Sequence, residues 1–588
     1  MLKKFFTVFM GSLAAIWISV GLMFMLFFVF IGVIAAMGDQ EAKIEIQKHS
    51  ILHVCLDGEI VERPVAANIW DEVYGTGNST IALNEIVGAI RNAADDSKID
   101  CIFLDLQGAT GGISTLTDIH DALTDFKQSG KKIIAYGDSY SQGDYFLAAL
   151  ADEIYVNPVG SIDIHGLSSQ GMFFKGALDK LGVKMQIVKV GTYKSAVEPY
   201  ILTEMSEANR EQTSLFLNNI WSVVSGSIAS ARDTDRAAVN QWADSLIMCA
   251  DPAFYVKNNI ATSLEYRFAV EEKLRELTGC DSDERLNLVT PAQYCANTTL
   301  AHEKSNDNQI AVLYAVGEIS DSGKDGIVGP KMVAEIEKLI KDEDNAGLIL
   351  RVNSPGGSAF ASEQIWEALQ RYKATGRPFY VSMSDYAASG GYYISCSADR
   401  IFAQPTTITG SIGIFGMIPC AQKLLNDHLG VTTSTVQTNP NATMSLFTPL
   451  NPTQMAKLQQ NVNRGYETFV GRCAEGRGMS VDEIKSIAEG RVWDGVVAKE
   501  IGLVDELGNL NDAIEAMADE LDFEKYQVIS YPKLKLSFWD QMEELQSQGV
   551  IRCMVPNEMT EEYRMYQQVK SLTEKPVIQA RMDYITVE

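Results

Sequence analysis

The sequence predicts an α/β protein made of two tandem copies of one parallel-sheet unit, preceded by an apolar N-terminal segment. Three observations carry this. Short apolar runs of strand length alternate with helical periodicity in both halves. Blocks of residues recur between the halves at a nearly constant offset. Finally, no charged residue occurs from Phe5 to Met37.

The N-terminal run comes first. A helix crossing a bilayer core of ~30 Å needs about 20 apolar residues, whereas a cleaved signal has an apolar region of about 7–15. Phe5–Met37 exceeds both, so it reads as an uncleaved single-pass anchor in contact with membrane lipid. Lys3 and Lys4 precede it and Asp39 and Glu41 follow, which puts the bulk of the chain outside the cytoplasm.

In the first half Ile51–Leu56, Ile102–Leu106 and Ile133–Tyr136 have strand length; in the second half Ile310–Tyr314, Leu348–Val352 and Tyr380–Met383 do. Leu116, Ile119, Leu123 and Phe126 follow helical spacing in one copy, and Ile365, Ala368, Leu369 and Tyr372 do so in the other. A mostly apolar strand is expected over Gln186–Val190, and a polar helix over Asp233–Gln241. Strand–helix–strand alternation implies parallel sheets with right-handed crossovers. The polar stretch Thr298–Asn308 is the best boundary. The expected organisation is an anchor over 1–45, a first copy over 46–300, a second over 301–540 and an extension over 541–588 without a repeat partner.

Composition excludes some functions. The 588 residues are 46% apolar and carry 49 Lys and Arg against 76 Asp and Glu, a net charge of −27. Nucleic-acid binding needs clustered basic residues, so no nucleic-acid partner is expected. Nine cysteines contain no Cys-x-x-Cys pair, and Cys55, Cys101 and Cys396 lie in apolar runs and read as buried thiols. His302-Glu303 lacks a second histidine four residues after the first, so it is not a zinc helix; no metal or cofactor is expected.

The repeat points to the chemistry. Ala398-Asp399-Arg400-Ile401-Phe402 matches Ala151-Asp152-Glu153-Ile154-Tyr155, which sets Ser389 opposite Gln142. Leu429-Gly430-Val431 matches Leu181-Gly182-Val183, which sets Lys194 opposite Ala442. Gly58-Glu59-Ile60 with Gly317-Glu318-Ile319, and Gly160-Ser161-Ile162 with Gly410-Ser411-Ile412, support the duplication. Each copy therefore keeps one reactive residue that the other lacks, as if a single centre had been divided between them.

Ser389 sits in Ala387-Ala388-Ser389-Gly390-Gly391, where a strand gives way to a helix; glycine there admits a substrate carbonyl, and the helix start offers unpaired N–H donors. A second glycine turn, Asn353-Ser354-Pro355-Gly356-Gly357, follows the strand Leu348–Val352, and its N–H groups could hold an oxyanion, a contribution of about 3–4 kcal/mol per donor. None of the six histidines stands in a triad context, which leaves lysine as the base. Lowering a lysine pKa from about 10.4 to about 7.5 costs roughly 4 kcal/mol and requires shelter from water. Lys194 lies in the uncharged run Gly191-Thr192-Tyr193-Lys194-Ser195-Ala196-Val197; Glu198 must point elsewhere, and Ser129–Lys132 is a chance Ser-x-x-Lys in a polar loop.

These residues resemble the signal peptide peptidase A (protease IV) family in its long two-repeat form, over nearly the whole chain. The resemblance rests on the runs around Lys194, Ser389 and Asn353–Gly357, on Thr409-Gly410-Ser411-Ile412-Gly413, and on Gly490-Arg491-Val492-Trp493-Asp494-Gly495 followed by Gly502-Leu503-Val504-Asp505. It implies a Clp-protease/crotonase-like fold and a Ser/Lys dyad with Ser389 as nucleophile and Lys194 as base. It also implies that Ser411 orients the lysine and that Gly357 and Gly390 give oxyanion N–H groups. Members are membrane-anchored, self-assemble and degrade signal peptides, so this chain is expected in the inner membrane facing the periplasm, as a homo-tetramer acting on signal peptides and other apolar peptides. The first copy departs from the pattern at Gln142 and at Leu106–Gly112, so no second active site is expected. The residues alone leave open a crotonase-like acyl-thioester enzyme, a non-catalytic oligomeric membrane scaffold, and a hydrolase with His165 as base.

Overall fold

The computed structural model describes residues 46–64, 80–281, 284–298, 308–533 and 578–581, with scattered positions between 10 and 25. The anchor expected over Phe5–Met37 and the connector expected over Thr298–Asn308 lie largely outside the described residues. Among those described, no helix is long and apolar enough to cross a membrane.

The first half holds β1 (Ser50–Val61), β2 (Thr80–Ala82), β3 (Ile99–Thr110), β4 (Lys132–Gly137), β5 (Glu153–Val156), β6 (Lys184–Lys189), β7 (Ser263–Leu264) and β8 (Leu288–Val289). All but β6 form one parallel sheet in the order β2-β1-β3-β4-β5-β7, with β8 also against β1. Its helices include α1 (Leu83–Asp95), α2 (Ile113–Lys127), α3 (Gln142–Ala148), α4 (Glu207–Ala231) and α5 (Arg236–Asp244). The polar helix expected from Asp233 starts later, because Asp235 caps it by accepting from the Ala238 N–H while Asp233 takes a positive φ.

The second half repeats the plan. It holds β9 (Gln309–Val316), β10 (Ile319–Ser320), β11 (Ile327–Val328), β12 (Asn345–Ser354), β13 (Gly356–Ser358), β14 (Phe379–Ala388), β15 (Arg400–Ala403) and β16 (Ile408–Gly410). Then follow β17 (Phe415–Cys420), β18 (Val492–Asp494), β19 (Glu506–Leu507) and β20 (Gln527–Tyr531), with β21 (Ile578–Arg581) near the C terminus. The principal helices are α6 (Gly329–Lys341), α7 (Ala359–Lys373), α8 (Gly390–Ser395) and α9 (Pro452–Arg477). The main sheet runs β18-β16-β14-β12-β9-β20, with β15 between β14 and β19.

Apolar burial on the sheet faces explains why these strands read as continuous apolar runs. Ile102, Leu104 and Leu106 pack with Ile86, Ile90, Ile119, Leu123 and Phe126. Leu348, Leu350 and Val352 pack with Ile336, Leu339, Ile365 and Leu369. Each such side chain contributes roughly 1.5–3 kcal/mol. Cys101 and Cys396 are buried as expected, but Cys55 is only half-buried. Alternation along β1 turns it to the face that carries His53, beside Asp105 of β3, rather than into the core.

A third sheet crosses between the copies in the order β11-β10-β13-β21-β17-β6. The segment preceding Lys194 enters it as β6, antiparallel to β17 of the second half from Lys184↔Cys420 to Lys189↔Phe415. This pairing carries a first-copy residue into the second copy.

Candidate active site

Lys194 follows β6 and caps a 3-10 turn over Ser195–Val197. Its Nζ lies 2.8 Å from Ser389 Oγ, 3.0 Å from Ser411 Oγ and 3.2 Å from the Ser411 carbonyl oxygen. Lys194 is 1% exposed, Ser389 0% and Ser411 2%, so the three groups meet away from bulk water. An amine this close to a hydroxyl has the reach that proton transfer requires.

Local backbone conformations aim each group. Ser389 stands between β14 and α8 with φ 56° and ψ −112°. That conformation costs a non-glycine residue about 1–3 kcal/mol. It is held by the Ser389 N–H donating to the Gly410 carbonyl and by the Tyr393 N–H donating to the Ser389 carbonyl. Ser411 also has a positive φ, and its N–H donates to the Arg491 carbonyl at 2.7 Å. Because Gly390 opens α8, the first N–H groups there have no partner within the helix.

The glycine turn after β12 closes on the same place. A Cβ on Gly357 would stand 2.0 Å from the Ile319 carbonyl oxygen, and one on Gly391 would stand 2.7 Å from the Ser354 carbonyl oxygen. The turn therefore fits against β10 and α8 only without side chains. Ser354 Oγ donates to the Gly317 carbonyl and accepts from the Gly356 N–H. Glu198 is held elsewhere, its carboxylate accepting from the Ser206 N–H, Ser206 Oγ and Asn209 Nδ2 at the start of α4.

In the first half Gln142 occupies the first position of α3 and braces a loop. Its Nε2 donates to the Gly166 carbonyl, and its Oε1 accepts from the N–H groups of His165 and Gly166. Ala442, the residue opposite Lys194, is exposed in a stretch without regular structure. Ser129 Oγ donates to the Phe126 carbonyl and Lys132 pairs with Glu153, so that Ser-x-x-Lys run is unconnected with the site. His165 Nδ1 lies 3.0 Å from Asp163, and its side chain is 38% exposed.

Several positioning residues escaped the sequence reading. Gly490 has φ +78°, and a Cβ there would stand 2.7 Å from Lys194 Cβ. Arg351, a lone charge inside an apolar strand, is fully buried and bonds Glu62 at 2.9 Å and Asp118 at 2.6 Å, both from the first half. It also donates to Ser382 and Ser384 on β14. Thr115 at the start of α2 donates through N–H and Oγ1 to Asp385, while Gly112 leaves room for that carboxylate. Burial pushes the Asp385 carboxyl up, against these donors. The first copy thus grips β12 and β14, the strands that end in the glycine turn and at Ser389. An unpaired charge in an apolar run was the signal available for Arg351.

A profile described as "Peptidase family S49" matches residues 125–279 and 371–524. The chain belongs to peptidase family S49. This S49 chain is 38% identical over 474 residues to "Protease 4" of Haemophilus influenzae, covering 78% of itself and 77% of that protein. It is 35% identical over 517 residues to "Protease 4" of Salmonella typhi, covering 85% and 83% respectively. It is also 33% identical over 238 residues, 39% of its length, to a "Putative signal peptide peptidase SppA" of Enterococcus faecium, covering 68% of that protein. This chain is a serine protease in which the family domain occurs twice as an α/β unit, and Lys194 and Ser389 fall one in each matched segment.

Proposed function

We propose that Ser389 is the nucleophile and Lys194 the general base of a Ser/Lys dyad that hydrolyses peptide bonds. The observation carrying this is the 2.8 Å approach of Nζ to Oγ in a site shut off from solvent. Burial disfavours an ammonium ion and so favours the neutral amine that a base must be. The amine takes the Ser389 proton as Oγ attacks the scissile carbonyl. N–H groups of Gly357 and Gly390 hold the oxyanion, worth about 3–4 kcal/mol per donor. The resulting ammonium protonates the leaving amine, and the amine then activates water against the acyl-enzyme. Ser411 orients Nζ between the two steps.

Substrates in this reading are extended apolar peptides, signal peptides among them, which pair as a strand beside β13. The relative described as a signal peptide peptidase supports that class. The uncharged run Phe5–Met37, with Lys3 and Lys4 ahead of it, supports a single-pass anchor in the inner membrane with the catalytic part in the periplasm. Assembly as a homo-tetramer belongs to the same reading.

The test is turnover of a fluorogenic apolar peptide by wild type, Ser389→Ala and Lys194→Ala. Loss of about a thousandfold or more in kcat for both variants, with unchanged thermal unfolding, is expected. Full activity in Lys194→Ala sinks the dyad.

A further inference from the structure

Alternation along β1 puts His53, Cys55 and Asp57 on one face of the first half's sheet. Cys55 stands in register with Asp105 on β3, and His53 Nε2 lies 3.0 Å from Asp105 Oδ2. One ligand atom from each of His53, Cys55 and Asp105 lies within 4.8 Å of the other two, the only such set of three among the described residues. The hydrogen bonds that join Lys194, Ser389 and Ser411 involve none of them.

The donors are an imidazole nitrogen, a sulfur and a carboxylate oxygen, which together suit zinc. Zinc bonds of about 2.0–2.3 Å at tetrahedral angles hold donor atoms about 3.3–3.6 Å apart. The approach of His53 to Asp105 is within a few tenths of an ångström of that spacing, and no pair needs to close by more than about 1.5 Å. Neighbours also orient the ligands. The His53 ring stacks on Phe103 with centroids 5.2 Å apart, while Gln107 Nε2 donates to Asp105 Oδ1 at 3.1 Å and leaves Oδ2 facing His53. Cys55 is half-buried, so an ion can reach its sulfur from solvent, and Asp57 adds an exposed carboxylate on the same face.

One cation already stands here. Arg267, at the start of the helix Arg267–Thr278, donates to both Asp105 oxygens at 3.1 and 2.6 Å. Its side chain is 40% exposed and can turn into water. A zinc ion brings twice the charge to the carboxylate, at about 2.0–2.2 Å, and gains the sulfur and the imidazole as well.

We propose that His53, Cys55 and Asp105 form a zinc site in the first half, with water as fourth ligand and Arg267 as the group that zinc displaces. On binding, the Cys55 thiol gives its proton to water and its sulfur bonds the metal. His53 binds through Nε2 and Asp105 as the carboxylate. The ion then ties β1 to β3.

The experiment uses the full chain, stripped of metal by a chelator and kept reduced by a phosphine. It is titrated with Zn2+ against a chromophoric chelator and, separately, with Co2+, whose spectrum reports its ligands. Wild type should bind one equivalent of Zn2+ tightly. Its Co2+ form should show a thiolate-to-cobalt charge-transfer band and tetrahedral d–d bands, all abolished by Zn2+. Cys55→Ser should remove the charge-transfer band and weaken Zn2+ binding about a hundredfold or more, and His53→Ala should weaken it similarly. Arg267→Gln should tighten binding about tenfold, because the competitor is gone. A wild-type Co2+ spectrum without the charge-transfer band overturns the proposal, whether or not the variants fold. So does a band that survives in Cys55→Ser, which assigns the ion to another thiol, or equal Zn2+ affinity in wild type, Cys55→Ser and His53→Ala. Binding no tighter in Arg267→Gln overturns the displacement. None of these readouts is turnover, so failure of the peptidase reading leaves them unchanged.

Discussion

Lys194 Nζ stands 2.8 Å from Ser389 Oγ although 195 positions separate the residues in the chain. The approach depends on β6 leaving the first half to pair with β17 of the second. Geometry at the site is therefore sensitive to whatever seats Lys194 and to whatever ties the two halves together, and the predictions follow those two dependencies.

Ser411 gives the Lys194 amine an oxygen partner at 3.0 Å. Ser411→Ala should lower kcat about 10- to 30-fold with KM nearly unchanged, the loss expected for one buried hydrogen bond of about 1.5–2 kcal/mol. Steady-state kinetics on a fluorogenic peptide check this, and Ser411→Thr should restore part of the rate.

Gly490 presses on Lys194. Its added Cβ would stand 2.7 Å from Lys194 Cβ and 2.8 Å from Lys194 backbone atoms. Gly490→Ala should displace the amine and cut kcat about a hundredfold, the scale of a misplacement of about 1 Å. The labelling rate of Ser389 by a fluorophosphonate should fall in parallel.

Arg351 pairs with both Glu62 and Asp118 inside the interface between the halves. Arg351→Met leaves two buried carboxylates without their guanidinium and should cost about 3–5 kcal/mol in denaturant unfolding. Replacing Glu62, Asp118 and Arg351 together by apolar residues of similar size should recover most of that loss. If the single variant unfolds like wild type, the clamp has no energetic role.

Asp105 sets a pH dependence of stability. Burial alone would raise its carboxyl, but donors from His53, Arg267 and Gln107 outweigh burial and hold it well below the usual carboxylate range. A depressed folded value stabilises the fold above the unfolded value of about 3.9, and the benefit is lost as pH falls below it. Thermal unfolding should show wild type losing stability below about pH 4. Asp105→Asn should start lower, by about 1–3 kcal/mol at pH 7, and lose less on acidification.

Much of this architecture was legible in the chain. The main strands read as apolar runs because parallel sheets are covered on both faces, and the contrast of Ser389 with Gln142 and of Lys194 with Ala442 was visible in the repeat. Less legible was anything decided by distant partners. Arg351 finds its two carboxylates 289 and 233 positions away. β21 owes its strand to two edges more than 160 positions upstream. α4 buries a narrow stripe at Phe216, Ile220, Val224 and Ile228 among Ser and Asn, a pattern too thin to signal a helix of 25 residues. Gly490 stands in a run that carries the family resemblance, but its contact with the Lys194 backbone shows only in the fold.

Gln142 has the wider consequence. Its amide ties down the loop at His165 and Gly166, so the position that corresponds to Ser389 is committed to architecture in the first half. The 2.8 Å contact draws its amine from one half and its hydroxyl from the other, so neither half can be discarded without losing it. What began as a redundant doubling has become a permanent partnership.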